Sequence, residues 1–137
     1  MTLQKRIEAF LEGSPHAVVG ASQDRSKYGN KVLRAYLQKQ RAVYPVNPPA
    51  AVIEGIKAYP DLASLPEVVH GISVITPPSV TETIVERAAE LGIENIWMQP
   101  GAESAAAVER CAELGVNVIA GDACLLVVLG YREDSEP

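Results

Sequence analysis

A chain of 137 residues and 14.7 kDa suffices for one domain and is short for two. Its 47% hydrophobic and 21% charged residues exclude a disordered segment, and a surplus of acid, net −5 with no basic tract, argues against nucleic acid as a partner. No apolar run approaches the roughly 20 residues that cross a bilayer, and Met1 to Glu12 lacks a signal peptide's apolar stretch, so a soluble, cytoplasmic protein without membrane partners is expected. Cys111 and Cys124 make neither a disulfide framework nor a metal-spaced set.

Leu3, Ile7, Phe10 and Leu11 recur at helical spacing, and Gly13 stands where such a helix stops. Ala17-Val18-Val19 reads as a buried strand ending at Gly20. Val32, Leu33, Tyr36 and Leu37 mark a helix over about 29–40, and Ala42 to Val46 a second strand stopped by Asn47-Pro48-Pro49. Between 50 and 66, Ile53-Glu54-Gly55 and Asp61-Leu62 suggest short turns of helix. Val68 to Ile75 reads as the third strand, weakened at Gly71 and ended by Thr76-Pro77-Pro78. Ser79 to Glu82 has capping-box spacing, and Val80, Ile84, Ala88 and Leu91 give the following helix its apolar face before Gly92. Asn95 to Gln99 is the fourth strand, turned by Pro100-Gly101. A helix over 103–114 and a last strand, Val116 to Ala120, complete the pattern.

The segment from Glu86 to Ile93 is echoed from Glu109 to Val116, as expected of consecutive helix–glycine–strand units. Solidly apolar strands are those covered on both faces. The expected fold class is therefore α/β: a single Rossmann-like doubly wound domain, with a five-stranded, mainly parallel sheet and helices on both faces. The domain takes in residues 1–137, with its core at 14–125 and an acidic tail at 132–137. Leu125 to Leu129 is expected to cover the core.

In such sheets ligands bind at the carboxyl ends of strands, near the point where strand order reverses. The first strand leaves through Gly20-Ala21-Ser22, and Tyr28-Gly29 opens the next helix, a place where phosphates can approach backbone and a helix N-terminus. The full G-x-G-x-x-G is missing, since Ser22 and Arg25 stand at its second and third glycines. Asn47, with Pro48, ends the second strand where a NAD protein offers an acid to the ribose; Asn tolerates a phosphorylated ribose. Arg25, Lys27, Lys31 and Arg34 form a local basic excess beside this turn, with Lys27 in the loop itself the favoured ligand contact. Thr76-Pro77-Pro78 and Gln99-Pro100-Gly101 supply rigid turns suited to the wall of a cleft.

Val19-Gly20-Ala21-Ser22, Tyr28-Gly29, Val43 to Pro48, Gly55 with Tyr59-Pro60, Trp97 to Gly101 and Asp122-Ala123-Cys124 together resemble the stand-alone CoA-binding proteins of the YccU type, which are similar to the CoA-binding domain of the succinyl-CoA synthetase alpha subunit. The resemblance implies a Rossmann-like domain holding coenzyme A, or an acyl-CoA, at its strand ends. It places Gly20, Ser22 and Lys27 on the phosphates and Asn47 and Pro48 beside the nucleotide. Pro77, Pro78, Gln99 and Gly101 would follow along the cleft, with Ala21, Tyr28, Gly29, Thr76 and Pro100 from the same motifs. The chain departs from the family in having Ala123 where an arginine is usual, and in the apolar stretch that follows.

No nucleophile–base–orienter set emerges. His16 precedes the first strand and His70 lies within the third, so structural roles are expected for both; Cys111 fits an apolar helix face, and Cys124 lies on the ligand side. Asp122, Glu103 and Glu54 cannot be paired by spacing. The leading expectation is a coenzyme A-binding module without catalysis of its own: a sensor, carrier or subunit, with a protein partner and the oligomeric state left open. The alternatives are a subunit of an acyl-CoA ligase acting with a separate ATP-grasp chain, and a NAD(P)-binding redox regulator.

Overall fold

Four-residue apolar runs can make strands only where both faces are covered, and the computed structural model, which describes residues 1–121 and 123–133, covers them. Helix α1 (Leu3–Leu11) is capped by the Thr2 hydroxyl, which accepts from the Lys5 amide at 3.2 Å. Strand β1 (His16–Val19) follows, buried at every position. Then come α2 (Tyr28–Gln38), β2 (Val43–Val46), a small hairpin of β3 (Val52–Ile53) and β4 (Ile56–Lys57), and a single 3-10 turn at Leu62–Ser64. The second half runs β5 (Gly71–Val74), α3 (Pro78–Glu90), β6 (Asn95–Met98), α4 (Ala105–Leu114), β7 (Asn117–Ile119) and α5 (Leu125–Val128).

The five long strands form one parallel sheet in the order β2-β1-β5-β6-β7. Strand order reverses between β1 and β5, where the chain changes sides. One core lies under α3 and α4 and includes Ile72, Val85, Ile96 and Cys111. The other lies under α1, α2 and α5 and includes Phe10, Leu33, Tyr36, Trp97 and Leu125. Pro45 is tolerated inside β2 because that strand is at the edge; its carbonyl accepts from the Tyr59 amide at 3.0 Å. The sequence echo also has a physical counterpart: Arg110 of α4 grips Glu86 of α3 through two bonds of 2.6 and 3.1 Å. Among the described residues no helix is long and apolar enough to cross a membrane.

Several local expectations are corrected. The expected helical turn at Ile53-Glu54-Gly55 is a hairpin, because Glu54 and Gly55 both take positive φ (49° and 79°), as a tight type I′ connection requires. Asp61 does start a helical turn, accepting from the Ser64 amide at 2.9 Å. The third strand begins only at Gly71, which is a close-approach position rather than a weak one: a Cβ there would press on Phe10 and Asn95 at 2.9 and 3.0 Å. Ser79 does not cap α3. Pro77 occupies the cap and Pro78 the first turn, while Glu82 accepts from the Ser104 hydroxyl instead.

The two histidines exchange places relative to expectation: His16 opens β1 and His70 precedes β5. Both serve structure at the amino ends of the strands. Three successive carbonyls in the last turn of α1 are taken up there, Ala9 by His70 Nε2 (2.8 Å), Phe10 by His16 Nε2 (2.8 Å) and Leu11 by Arg41 (3.0 Å). At the other terminus α5 buries Leu125 and Leu129, as expected, but turns Val127 outward, 79% exposed. Asp122 and residues 134–137 of the acidic tail lie outside the described residues.

Candidate functional site

The reversal of strand order brings the carboxyl ends of β1, β2 and β5 together. At the end of β1 the backbone must turn sharply, and Gly20 does so at φ +94°. Its amide and that of Ala21 both donate to the Val46 carbonyl, at 3.2 and 3.3 Å. A side chain on Gly20 would collide with the Ile75 carbonyl, and one on Gly29 with the Gly20 carbonyl. Gly29 thus performs the close helix-to-strand packing that the third glycine of a dinucleotide fingerprint performs, displaced along a longer loop.

That loop is ordered from within. Asp24 Oδ1 accepts from the Ser26 amide at 2.9 Å and from its hydroxyl at 2.7 Å, and these bonds hold the Asp24 carboxyl below the usual carboxylate range. The Asp24 amide in turn donates to the Ser22 hydroxyl at 3.0 Å. Lys27 takes the N-cap position of α2 but offers its amides no side-chain cap, unlike Thr2 on α1 and Ser104 on α4. Among the described residues nothing accepts from the Tyr28 and Gly29 amides. An uncapped helix start with a lysine beside it is a site for anions.

A groove of about 500 Å³ lies over this turn. Of the residues singled out in the sequence, Gly20, Ala21, Ser22, Lys27, Tyr28, Gly29, Asn47 and Pro48 line it. A smaller hollow of about 160 Å³ shares Tyr28 and Ile75 with the groove and is lined further on by Gln99, Pro100 and Cys124. Thr76, Pro77, Pro78 and Gly101 line neither. The Thr76 hydroxyl bonds that of Thr81 at 2.7 Å, the prolines begin α3, and the Gly101 amide donates to Glu103 at 2.8 Å. Sequence reasoning missed Ser26 and Ile75 as lining residues. The Asp24-x-Ser26 spacing of an Asx turn could have found the first, whereas the second follows only from β5 ending at Val74.

The basic residues divide. Arg34 is buried, 2% exposed, and structural. Arg25 lies 3.5 Å from Glu54 and Lys31 3.6 Å from Glu133, leaving Lys27 as the one of the four that lines the groove. Asn47 also has a structural duty, since its Nδ2 donates to the Ala21 carbonyl at 2.6 Å. Trp97 and Gln99 explain one sequence motif physically. Trp97 Nε1 donates to the Ala123 carbonyl (3.1 Å), Gln99 Oε1 accepts from the Leu125 amide (2.8 Å), and Gln99 Nε2 donates to Cys124 Sγ (3.4 Å). Gln99→Ala should therefore cost about 1–3 kcal/mol in urea denaturation by orphaning the Leu125 amide; unchanged stability would contradict this anchoring.

A larger hollow, about 660 Å³, lies between α3 and α4 and carries Glu82, Glu86, Glu109 and Glu113 against Arg110. Its surplus of carboxylates disfavours a phosphorylated ligand, so the strand-end groove is the candidate site. Among the described residues no cluster of His, Cys, Asp or Glu could hold a metal. Cys111 is buried, and desolvation with nearby Glu86 pushes its thiol up to about 11, which makes it inert at neutral pH.

Residues 15–130 match the family model described as the CoA binding domain. The chain belongs to that family. It is similar to acetate–CoA ligase [ADP-forming] II subunit alpha of Pyrococcus furiosus, 35% identical over 92 residues, which cover 66% of this chain and 20% of the relative. The chain spans a fifth or less of the length of the curated relatives it matches. Among solved structures, a conserved hypothetical protein from Pyrococcus furiosus superposes with a TM-score of 0.78 at 39% identity, covering 82% of this chain and 97% of the other. The dinucleotide-forming acetyl-coenzyme A synthetase 1 of Ca. Korarchaeum cryptofilum, in complex with phosphate and ADP, superposes with a TM-score of 0.74 at 28% identity, covering 85% of this chain and 27% of that one. A CoA binding domain thus accounts for the matched region from β1 through α5.

Proposed function

We propose that this chain is a coenzyme A-binding module that supplies a site rather than a reaction. The observation that carries the reading is the cradle itself: two glycines so close to neighbouring carbonyls that neither can bear a side chain, beside an uncapped helix start and Lys27. In this reading the diphosphate lies on the β1–α2 turn, held by backbone amides and Lys27. Asn47 and Pro48 border the nucleotide, and the pantetheine arm extends past Ile75 toward Gln99, Pro100 and Cys124. Coenzyme A would bring the thiol chemistry; the residues of this chain bind and orient it. Asn47, in place of an acid, favours a phosphorylated ribose over NAD.

Thermal shifts with coenzyme A, acetyl-CoA, NAD and NADP test this. A ligand at a hundredfold excess over its Kd stabilises the fold by about 2.7 kcal/mol, a shift of several degrees. The CoA compounds should give that shift, and Lys27→Ala should weaken their binding about tenfold while leaving the unliganded Tm unchanged. Selective stabilisation by NAD would overturn the assignment.

The acetate–CoA ligase alpha subunit among the relatives favours a second reading, in which the module acts as a subunit with a separate ATP-grasp chain. Co-elution with such a chain, and ligase activity only in the mixture, would support it.

A further inference from the structure

Two buried polar side chains of α2 remain outside the site as described, Asn30 (0% exposed) and Arg34 (2%). Arg34 Nε donates to Asn30 Oδ1 at 2.6 Å, and Arg34 Nη2 donates to the Arg25 carbonyl at 2.9 Å. A guanidinium can only donate, so Asn30 must present its oxygen to Arg34 and its amide to the other side. There Nδ2 donates to the Ser22 carbonyl at 2.8 Å and to Glu54 Oε2 at 3.0 Å. Side chains one helical turn apart therefore grip the loop at two carbonyls, Ser22 and Arg25.

The grip fixes peptide planes. In a trans peptide the carbonyl and the following N–H point opposite ways. With the Ala21 carbonyl drawn to Asn47 and the Ser22 carbonyl drawn to Asn30, the Ser22 amide points away from Asn47 and the Gln23 amide away from Asn30. Neither amide has an acceptor among the described residues. Two successive amides left without an acceptor in a turn are donors that an anion can take.

We infer that Asn30 and Arg34 are positioning residues that hold the β1–α2 loop in the shape that presents the Ser22 and Gln23 amides to the ligand's diphosphate. The inference rests on the coenzyme A reading above for the identity of that ligand, but the shape of the loop can be measured without it. A lost hydrogen bond of this kind shifts the population of the held loop by about two- to tenfold.

Asn30→Asp keeps an oxygen for Arg34 but replaces the donor to the Ser22 carbonyl with a carboxylate beside Glu54. In this variant, hydrogen exchange of the amides in 22–27 should quicken about tenfold, with exchange in the sheet unchanged. Coenzyme A affinity, read by calorimetry, should fall about tenfold at neutral pH. A merely structural residue would quicken exchange in the sheet as well and leave the affinity of the folded protein unchanged. Arg34→Met fills the volume without the donors and should loosen the same loop amides at any pH. Wild-type affinity and loop protection in both variants would overturn the inference, and so would a uniform rise in exchange across the whole sheet. If the wild-type chain fails to bind coenzyme A, the proposed function falls, while loop exchange in the two variants still decides whether these residues position the loop.

Discussion

Gly29→Ala should weaken coenzyme A binding about a hundredfold in a protein that still folds. The φ of Gly29 is ordinary, so the effect is purely one of space: the new methyl would sit on the Gly20 carbonyl and push α2 off the turn that it abuts. Overpacking of this kind costs about 1–3 kcal/mol of stability. The groove is built from the same contact, so affinity should drop by about a hundredfold, roughly 2.7 kcal/mol. Gly92→Ala is the control. Gly92 sits at φ +81° with nothing near its missing side chain, so alanine there strains the backbone by about 1–2 kcal/mol and should leave binding untouched. Calorimetric affinities and urea midpoints of the two variants separate the effects; equal affinities would show that the close approach of α2 is unimportant to the site.

Acid should weaken the fold through His16. Burial among Phe10, Tyr36 and His70 holds its imidazole down to about 4, with His70 and Arg41 adding repulsion and the Phe10 carbonyl opposing the shift. With Nε2–H given to that carbonyl, Nδ1 is buried without a partner and has nothing to stabilise a second proton. Between pH 6.5 and about 4 the unfolded chain takes up a proton that the native chain refuses, so stability falls as pH drops through that window and this contribution stops changing below it. The full loss is about 3 kcal/mol. Urea denaturation at pH 7.5, 5.5 and 4.0 should show the decline, and His16→Gln should flatten it. Parallel curves for wild type and variant would rule out His16 as its source.

Where the chain's own chemistry is local, the sequence was readable. The strand bodies at 17–19, 43–46 and 95–98 are dense in apolar residues, and the glycine turn after β1 announces itself by composition. The alternation of strand and helix leads directly to a doubly wound sheet. Contacts that depend on register were not readable. Nothing local says that Arg34, a charged residue in a basic stretch, is buried to hold two loop carbonyls, or that Trp97 and Gln99 reach across to residues 123–125. Glu54 carries no turn signature, yet it takes the left-handed backbone that closes the small hairpin. Of the candidate residues that line the groove, six lie on the β1–α2 turn and two, Asn47 and Pro48, follow β2. Thr76, Pro77, Pro78 and Gly101 stand outside both hollows; Pro77 and Pro78 begin α3 and Gly101 turns the chain, duties that local sequence does not tell apart from lining a cleft.

The most direct test is an amide-resolved NMR titration of the chain with coenzyme A. Shifts concentrated at residues 20–29 and at Asn47, with smaller ones at Ile75 and Gln99, are the expected result. Perturbations confined to the acidic hollow between α3 and α4, or none at millimolar ligand, would contradict a strand-end site for the cofactor.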